Sequence, residues 1–189
     1  MLIEEIRQID VQKLGGIYHK YPVSKIVADM IFPGEVVIDT TYGRGRFYAV
    51  YRPKMLIGID VKKWKWMVVP DRFYNCTVWQ FYNMLKRGDV KIGNVDVVVT
   101  DPPKWHNRKH KRIEYNYIIG SPRLIIYYAY NVARLLNAKY LLVHYYKIPS
   151  DIIDNSKIVR AIKFYFASRY IYTSPKSYSY FILYDLQKQ

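Results

Sequence analysis

The chain has 189 residues, 51% hydrophobic and 24% charged, which is enough to build a core and excludes a disordered chain. Its net charge of +15, from 30 Lys and Arg against 15 Asp and Glu, points to a polyanion as partner, with nucleic acid ahead of an anionic membrane. A single cysteine, Cys76, excludes intrachain disulfides and cysteine metal clusters. The four histidines (His19, His106, His110, His144) lack zinc spacing, so no metal is expected.

The elements follow in order. Leu2, Ile3, Ile6 and Ile9 predict one apolar face of a short helix, stopped by Gly15-Gly16. Residues 1–20 read as an N-terminal extension, with acids at Glu4 and Glu5 and no apolar signal core. After Tyr21, Pro22 suits a first helical position, and Val23, Ile26, Val27, Met30 and Ile31 give an amphipathic helix ended by Pro33-Gly34. Glu35 to Asp39 is a buried strand closing on an acid. The segment Thr40-Thr41-Tyr42-Gly43-Arg44-Gly45-Arg46-Phe47 follows, and its two glycines permit a tight turn and close approach to a ligand. A helix over 45–51 and a second acid-ended strand, Met55 to Asp60, complete a βαβ unit.

Further along, a helix is predicted over 62–69, a third strand over 75–79 and a short helix over 81–86. Val95 to Thr100 is a fourth strand, closed by Asp101-Pro102-Pro103. Prolines remove two backbone donors there, so an acceptor carboxylate sits beside free carbonyls, an arrangement suited to a ligand that offers N–H groups. A long polar loop over 104–119 holds Arg108-Lys109-His110-Lys111-Arg112. Ser121-Pro122 starts a helix, and Tyr140 to His144 is a fifth strand. Leu124 to Tyr146 is the most apolar stretch, but Asn131, Arg134, Asn137 and Lys139 interrupt it. It therefore reads as helix and strand rather than a membrane span, and a cytoplasmic protein is expected. A weaker helix over 151–163 precedes two aromatic-rich strands, 164–172 and 178–184, around a Ser-Pro-Lys-Ser turn. The pattern predicts one domain over 1–189: an α/β, Rossmann-like, doubly wound and mostly parallel seven-stranded sheet with a C-terminal antiparallel hairpin.

Two acids closing consecutive strands about twenty residues apart, with a glycine turn between, are the layout that receives ribose hydroxyls in doubly wound folds. A dinucleotide is one candidate ligand, but the glycine fingerprint fails because Tyr48 stands at its third glycine position.

The chain resembles class I S-adenosylmethionine-dependent methyltransferases, and among them those that methylate amino groups of nucleic-acid bases. Asp39-Thr40-Thr41-Tyr42-Gly43-Arg44-Gly45 matches the family's D-x-x-x-G-x-G loop, and Asp60 stands where the family's ribose-binding acid stands. Asp101-Pro102-Pro103 matches its (Asp/Asn/Ser)-Pro-Pro-aromatic motif, and Tyr21-Pro22-Val23 its segment lining the methionine end. The resemblance runs from about residue 18 to the C-terminus.

It implies S-adenosyl-L-methionine as cofactor, bound by Tyr21, Pro22, Asp39, Thr41, Gly43, Gly45, Asp60, Val61 and Gln80, with Trp79 the other candidate for the adenine contact. It also implies catalysis by Asp101, Pro102 and Pro103 on an exocyclic amino group. Lys104 replaces the motif's aromatic; Trp105 or Tyr42 is then the candidate stacking ring. Lys104, Trp105, Arg108, Lys109, Lys111 and Arg112 are the expected substrate contacts, with Lys62, Lys63 and Lys65 interleaved between Trp64 and Trp66 nearby. RNA is favoured over DNA, since no separate target-recognition region is evident. The alternative is a non-catalytic nucleic-acid-binding protein on a degenerate methyltransferase fold, with Lys104 contacting a phosphate.

Overall fold

The fold is that of a computed structural model, which describes residues 2–31, 35–103, 121–166 and 178–187. Among the described residues eight strands form one sheet: β1 (Ile3–Arg7), β2 (Val36–Asp39), β3 (Met55–Ile59), β4 (Arg72–Tyr74), β5 (Val97–Thr100), β6 (Tyr140–Tyr145), β7 (Ile158–Tyr165) and β8 (Tyr178–Asp185). Their order is β1-β7-β8-β6-β5-β2-β3-β4. Every pairing is parallel except those of β8, which runs antiparallel to both β6 and β7.

The Rossmann-like, doubly wound fold and the antiparallel C-terminal strands are as expected, with one strand more than the seven predicted; the strand expected over 164–172 is β7, which starts six residues earlier, and 167–172 and the Ser-Pro-Lys-Ser turn lie outside the described residues. The central strands are short β-branched runs such as Val97-Val98-Val99, buried on both faces as parallel strands are. Alternate residues feed two cores. Ile38, Val98 and Leu141 pack against α4 (Val78–Arg87) and α5 (Pro122–Leu135). Val37, Val97, Val99 and Leu142 pack on the other face, toward α1 (Gln8–Gln12) and α3 (Pro22–Ile31). Between these two helices lies the five-residue α2 (Gly16–Lys20).

Several expectations are corrected. The predicted N-terminal helix is instead β1, the eighth strand. Ile3 and Ile6 point into opposite cores, and Leu2 is 93% exposed, so no common apolar face exists. Across from β1, Arg160 pairs with Glu4 at 3.0 Å and Tyr165 donates to Glu5 at 2.9 Å. The helix predicted over 151–163 is also overturned: Ile158 onward is β7, whose β-branched residues find partners on both sides in β1 and β8.

Residues 75–79 are not the third strand, which is β4, three residues earlier. Thr77 and Gln80 instead form a capping box that starts α4. The helix expected over 45–51 is reduced to one 3-10 turn, Arg46–Tyr48. No helix spans 62–69 either: Asp60 captures the Lys62 N–H, and the Arg44 carbonyl captures the Met67 N–H. Among the described residues no helix is long and apolar enough to cross a membrane.

Candidate active site

The strand order reverses beside β2, which has β3 on one side and β5 on the other. In such sheets the crevice at the carboxyl ends of these strands is the ligand site. Asp39, Asp60 and Asp101 all stand there, at or just after the ends of β2, β3 and β5.

Asp39 is buried. Its Oδ1 accepts the Thr41 N–H at 2.9 Å and its Oδ2 the Tyr48 hydroxyl at 2.9 Å. Burial pushes its carboxyl up to about 7, against the lowering effect of those two donors, with the Asp101 and Asp60 charges raising it further. Tyr48, at the failed glycine position, is thus the residue that satisfies the first acid.

The loop between them is shaped by Tyr42. Its ring is buried, its hydroxyl donates to the Val68 carbonyl at 2.8 Å, and it stacks on Tyr48. Gly45 has φ 73°, and a Cβ there would lie 2.6 Å from the Tyr42 hydroxyl and 2.7 Å from the Val68 carbonyl oxygen. A Cβ on Gly58 would meet the same ring at 2.7 Å. These two glycines make room for Tyr42 beneath the loop, which removes Tyr42 as a stacking platform for a base.

Asp60 is also buried. Its Oδ2 accepts the Gly43 N–H at 2.8 Å; its Oδ1 accepts the Lys62 N–H at 2.9 Å and the Trp64 indole N–H at 3.3 Å. Its backbone carbonyl accepts the Asn75 amide at 3.0 Å. The second acid therefore clasps the glycine loop to the segment that follows β3.

Two cavities flank this clasp and share Thr41. The larger, about 350 Å³, is an open cleft walled by Asp39, the buried Tyr42, Gly43, Arg44, Arg46, Phe47, Trp64 and Asp101. The smaller, about 20 Å³, is a slot between Asp60-Val61, the Cys76–Trp79 stretch and Leu124, Ile125 and Tyr128 of α5. Burial of the Cys76 thiol beside it pushes that group up to about 11, so it stays a neutral wall.

Asp101 joins β5 to the glycine loop, its N–H donating to the Thr41 hydroxyl at 2.6 Å. Its Oδ1 lies 2.9 Å from Nδ1 of His144, whose Nε2 lies 2.6 Å from the Ser179 hydroxyl. Pro102 is buried and Pro103 half-buried beside it.

The structure thus gathers Asp39, Thr41, Gly43 and Asp101 around the cleft, and Thr41, Asp60 and Val61 around the slot. Gly45 is buried beneath the loop as its hinge. Gln80 is not at the site: it is exposed, and its amide is occupied by the Thr77 N–H in the capping box, while Trp79 does line the slot. Tyr21 and Pro22 line neither cavity; Tyr21 caps α2 and Pro22 begins α3, which Ser24 ties to the loop by donating to the Arg46 carbonyl. Lys104, Trp105, Arg108, Lys109, Lys111 and Arg112 lie outside the described residues. Among the described residues, no group of three or more His, Cys, Asp or Glu is placed to hold a metal.

Sequence reasoning missed Tyr48, Trp64, His144 and Ser179. The available signal for His144 was register: Thr100 pairs with Val143, so the residues following them, Asp101 and His144, end adjacent strands. Ser179 carried no such signal, because the pairing of β8 cannot be read locally.

Fold and cleft together define a Rossmann-like α/β protein with its ligand crevice at the switch point. No protein-family model matches the chain. No curated protein matches it either. Among solved structures it is similar to magnesium protoporphyrin IX methyltransferase from Synechocystis PCC 6803 with bound SAH, at 15% identity and a TM-score of 0.49, covering 88% of this chain and 82% of that one.

Proposed function

We propose that this chain, one domain throughout, is an S-adenosylmethionine-dependent methyltransferase acting on an exocyclic amino group of a nucleic-acid base, RNA ahead of DNA. The observation that carries the reading is the junction of Asp101 with the glycine loop through Thr41, which sets the proposed acceptor group against the proposed cofactor cleft.

In this reading the Thr41–Gly45 loop in the cleft would hold the cofactor's methionine end, Asp60 its ribose, and Val61 and Trp79 of the slot its adenine. The sulfonium supplies an electrophilic methyl group. Nothing in the step demands strong acid–base catalysis, so alignment and electrostatics carry it. The target base leaves its stack. Its amino N–H groups donate to the Asp101 carboxylate and the Pro102 carbonyl, turning the nitrogen lone pair toward the methyl carbon. The cofactor would supply the methyl group and its sulfur would keep the bonding pair. The Asp101 carboxylate would face the positive charge that builds on the amino nitrogen, which would pass one proton to solvent at this partly exposed edge of the cleft.

The nucleic-acid part rests on charge. Arg44 and Arg46 line the cleft, and the exposed Lys62, Lys63 and Lys65 follow Asp60 directly. Phosphate contacts of this kind provide affinity without sequence information. A cytoplasmic location accompanies this reading. The non-catalytic alternative draws on Asp60, whose carboxylate already accepts three protein donors.

Calorimetry with S-adenosylmethionine comes first, since no binding at millimolar cofactor overturns the enzyme reading. Labelled-methyl transfer to total RNA against genomic DNA then identifies the substrate. Asp101→Ala is expected to abolish transfer and keep cofactor binding; an unchanged rate removes Asp101 from the mechanism.

A further inference from the structure

We propose that His144 is a positioning residue for Asp101, pinning one carboxylate oxygen so that the other alone meets a donor in the cleft. This inference deepens the methyl-transfer reading and rests on it.

Asp101 ends β5 with its side chain 38% exposed at the cleft, whereas the His144 side chain is only 8% exposed. A half-exposed carboxylate left to itself samples several rotamers, and each lost rotamer costs alignment. Here Oδ1 is held by Nδ1 of His144. The imidazole is itself immobilised. It stacks on Phe181 with centroids 4.0 Å apart and planes 5° apart, and Phe47 meets it edge-on at 5.9 Å. Ser179 holds its far nitrogen.

The groups facing the ring are therefore the Asp101 carboxylate from the end of β5, the Ser179 hydroxyl from β8, and the rings of Phe47, Phe166 and Phe181. A carboxylate can only accept, so Nδ1 must carry the proton. In that tautomer Nε2 accepts from Ser179, and a hydroxyl can turn to supply the hydrogen. The chain Ser179–His144–Asp101 runs from a buried strand to the cleft, and its last acceptor, Oδ2, takes one N–H of the target amino group. The second N–H is left to the Pro102 carbonyl. The site thus offers two acceptors on different groups, which favours a primary amine over a donor with a single hydrogen.

Two measurements test this. First, ¹⁵N NMR of the neutral His144 ring is expected to show the Nδ1-protonated tautomer in the native protein and a shift toward Nε2–H in Asp101→Ala. A native ring protonated at Nε2, or one indifferent to Asp101→Ala, overturns the proposal. Second, Asn at 144 brings its amide nitrogen close to the Nδ1 position, whereas Gln brings its own close to Nε2. In labelled-methyl transfer, kcat is expected to fall by roughly 10- to 100-fold in His144→Gln, and His144→Asn to recover most of that loss. Cofactor affinity is expected to hold within about twofold in both. Equal losses in the two variants, or none in His144→Gln, count against a positioning role. Absence of transfer by the native protein on either nucleic acid would sink the methyltransferase reading instead, and the tautomer would then decide the Asp101–His144 pairing alone.

Discussion

The Tyr48 hydroxyl donates to Oδ2 of Asp39 at 2.9 Å, and both side chains are buried. The bond joins the 3-10 turn that follows the glycine loop to the end of β2, at the switch point of the sheet. Tyr48→Phe removes the donor but keeps the ring in place against Tyr42. The expected cost is about 1–3 kcal/mol, because a buried acceptor loses its partner. Urea denaturation of the two proteins measures it, and equal midpoints would mean that water replaces the hydroxyl freely.

The same carboxyl makes stability depend on pH. Burial holds Asp39 at about 7 in the folded protein against an ordinary 3.8. The folded state therefore keeps a proton that the unfolded chain gives up as pH rises. This contribution is complete below 3.8 and is lost as pH rises through about 7. About three pH units at about 1.36 kcal/mol each give about 4 kcal/mol over the whole window. Asp39→Asn cannot ionise, so the stability of native protein minus variant is expected to fall by about 3 kcal/mol between pH 4.5 and 7.5. Urea melts at the two pH values read it directly, and a constant difference contradicts the assignment.

Gly45 combines a left-handed φ of 73° with contacts that leave no room for a Cβ. Gly45→Ala must strain the backbone and push Tyr42 off the Val68 carbonyl. A loss of about 2–4 kcal/mol is expected, with cofactor affinity falling as the loop shifts. Gly93→Ala is the control, since its Cβ would meet nothing within 4 Å. Similar thermal melts for the two variants would show that the loop adapts.

Trp64 makes the longest of the three N–H bonds on the Asp60 carboxylate, 3.3 Å against 2.8 and 2.9 Å. Ribose hydroxyls arriving at Asp60 are expected to displace it first and so change its fluorescence. Titration with S-adenosylhomocysteine should give a signal that Trp64→Phe diminishes, the remainder coming from Trp79 in the slot, and Asp60→Asn should weaken binding by at least about tenfold, or about 1.4 kcal/mol. A signal of undiminished size in Trp64→Phe would show that the Trp64 indole is not displaced.

Much of this was readable residue by residue. Short β-branched runs closing on Asp39, Asp60 and Asp101 announced parallel strands with acids at their carboxyl ends, since burial on both faces leaves a continuous apolar run. The Ser121-Pro122 start and the Pro22 start of two helices were local as well. Gly43 and Gly45 declared a tight turn because so few residues tolerate positive φ. What failed locally was decided by distant partners. Ile3 to Arg7 became a strand because β7 offered it backbone bonds, and β7 escaped its predicted helix by lying between β1 and β8. Gln80, expected at the cofactor's adenine, went to a helix cap through Thr77, a residue expected in a strand. The Asp101–His144–Ser179 chain joins residues 43 and 35 positions apart. Only the pairing of β6 with β5 and β8 brings them within hydrogen-bond reach, and that register is a property of the whole sheet.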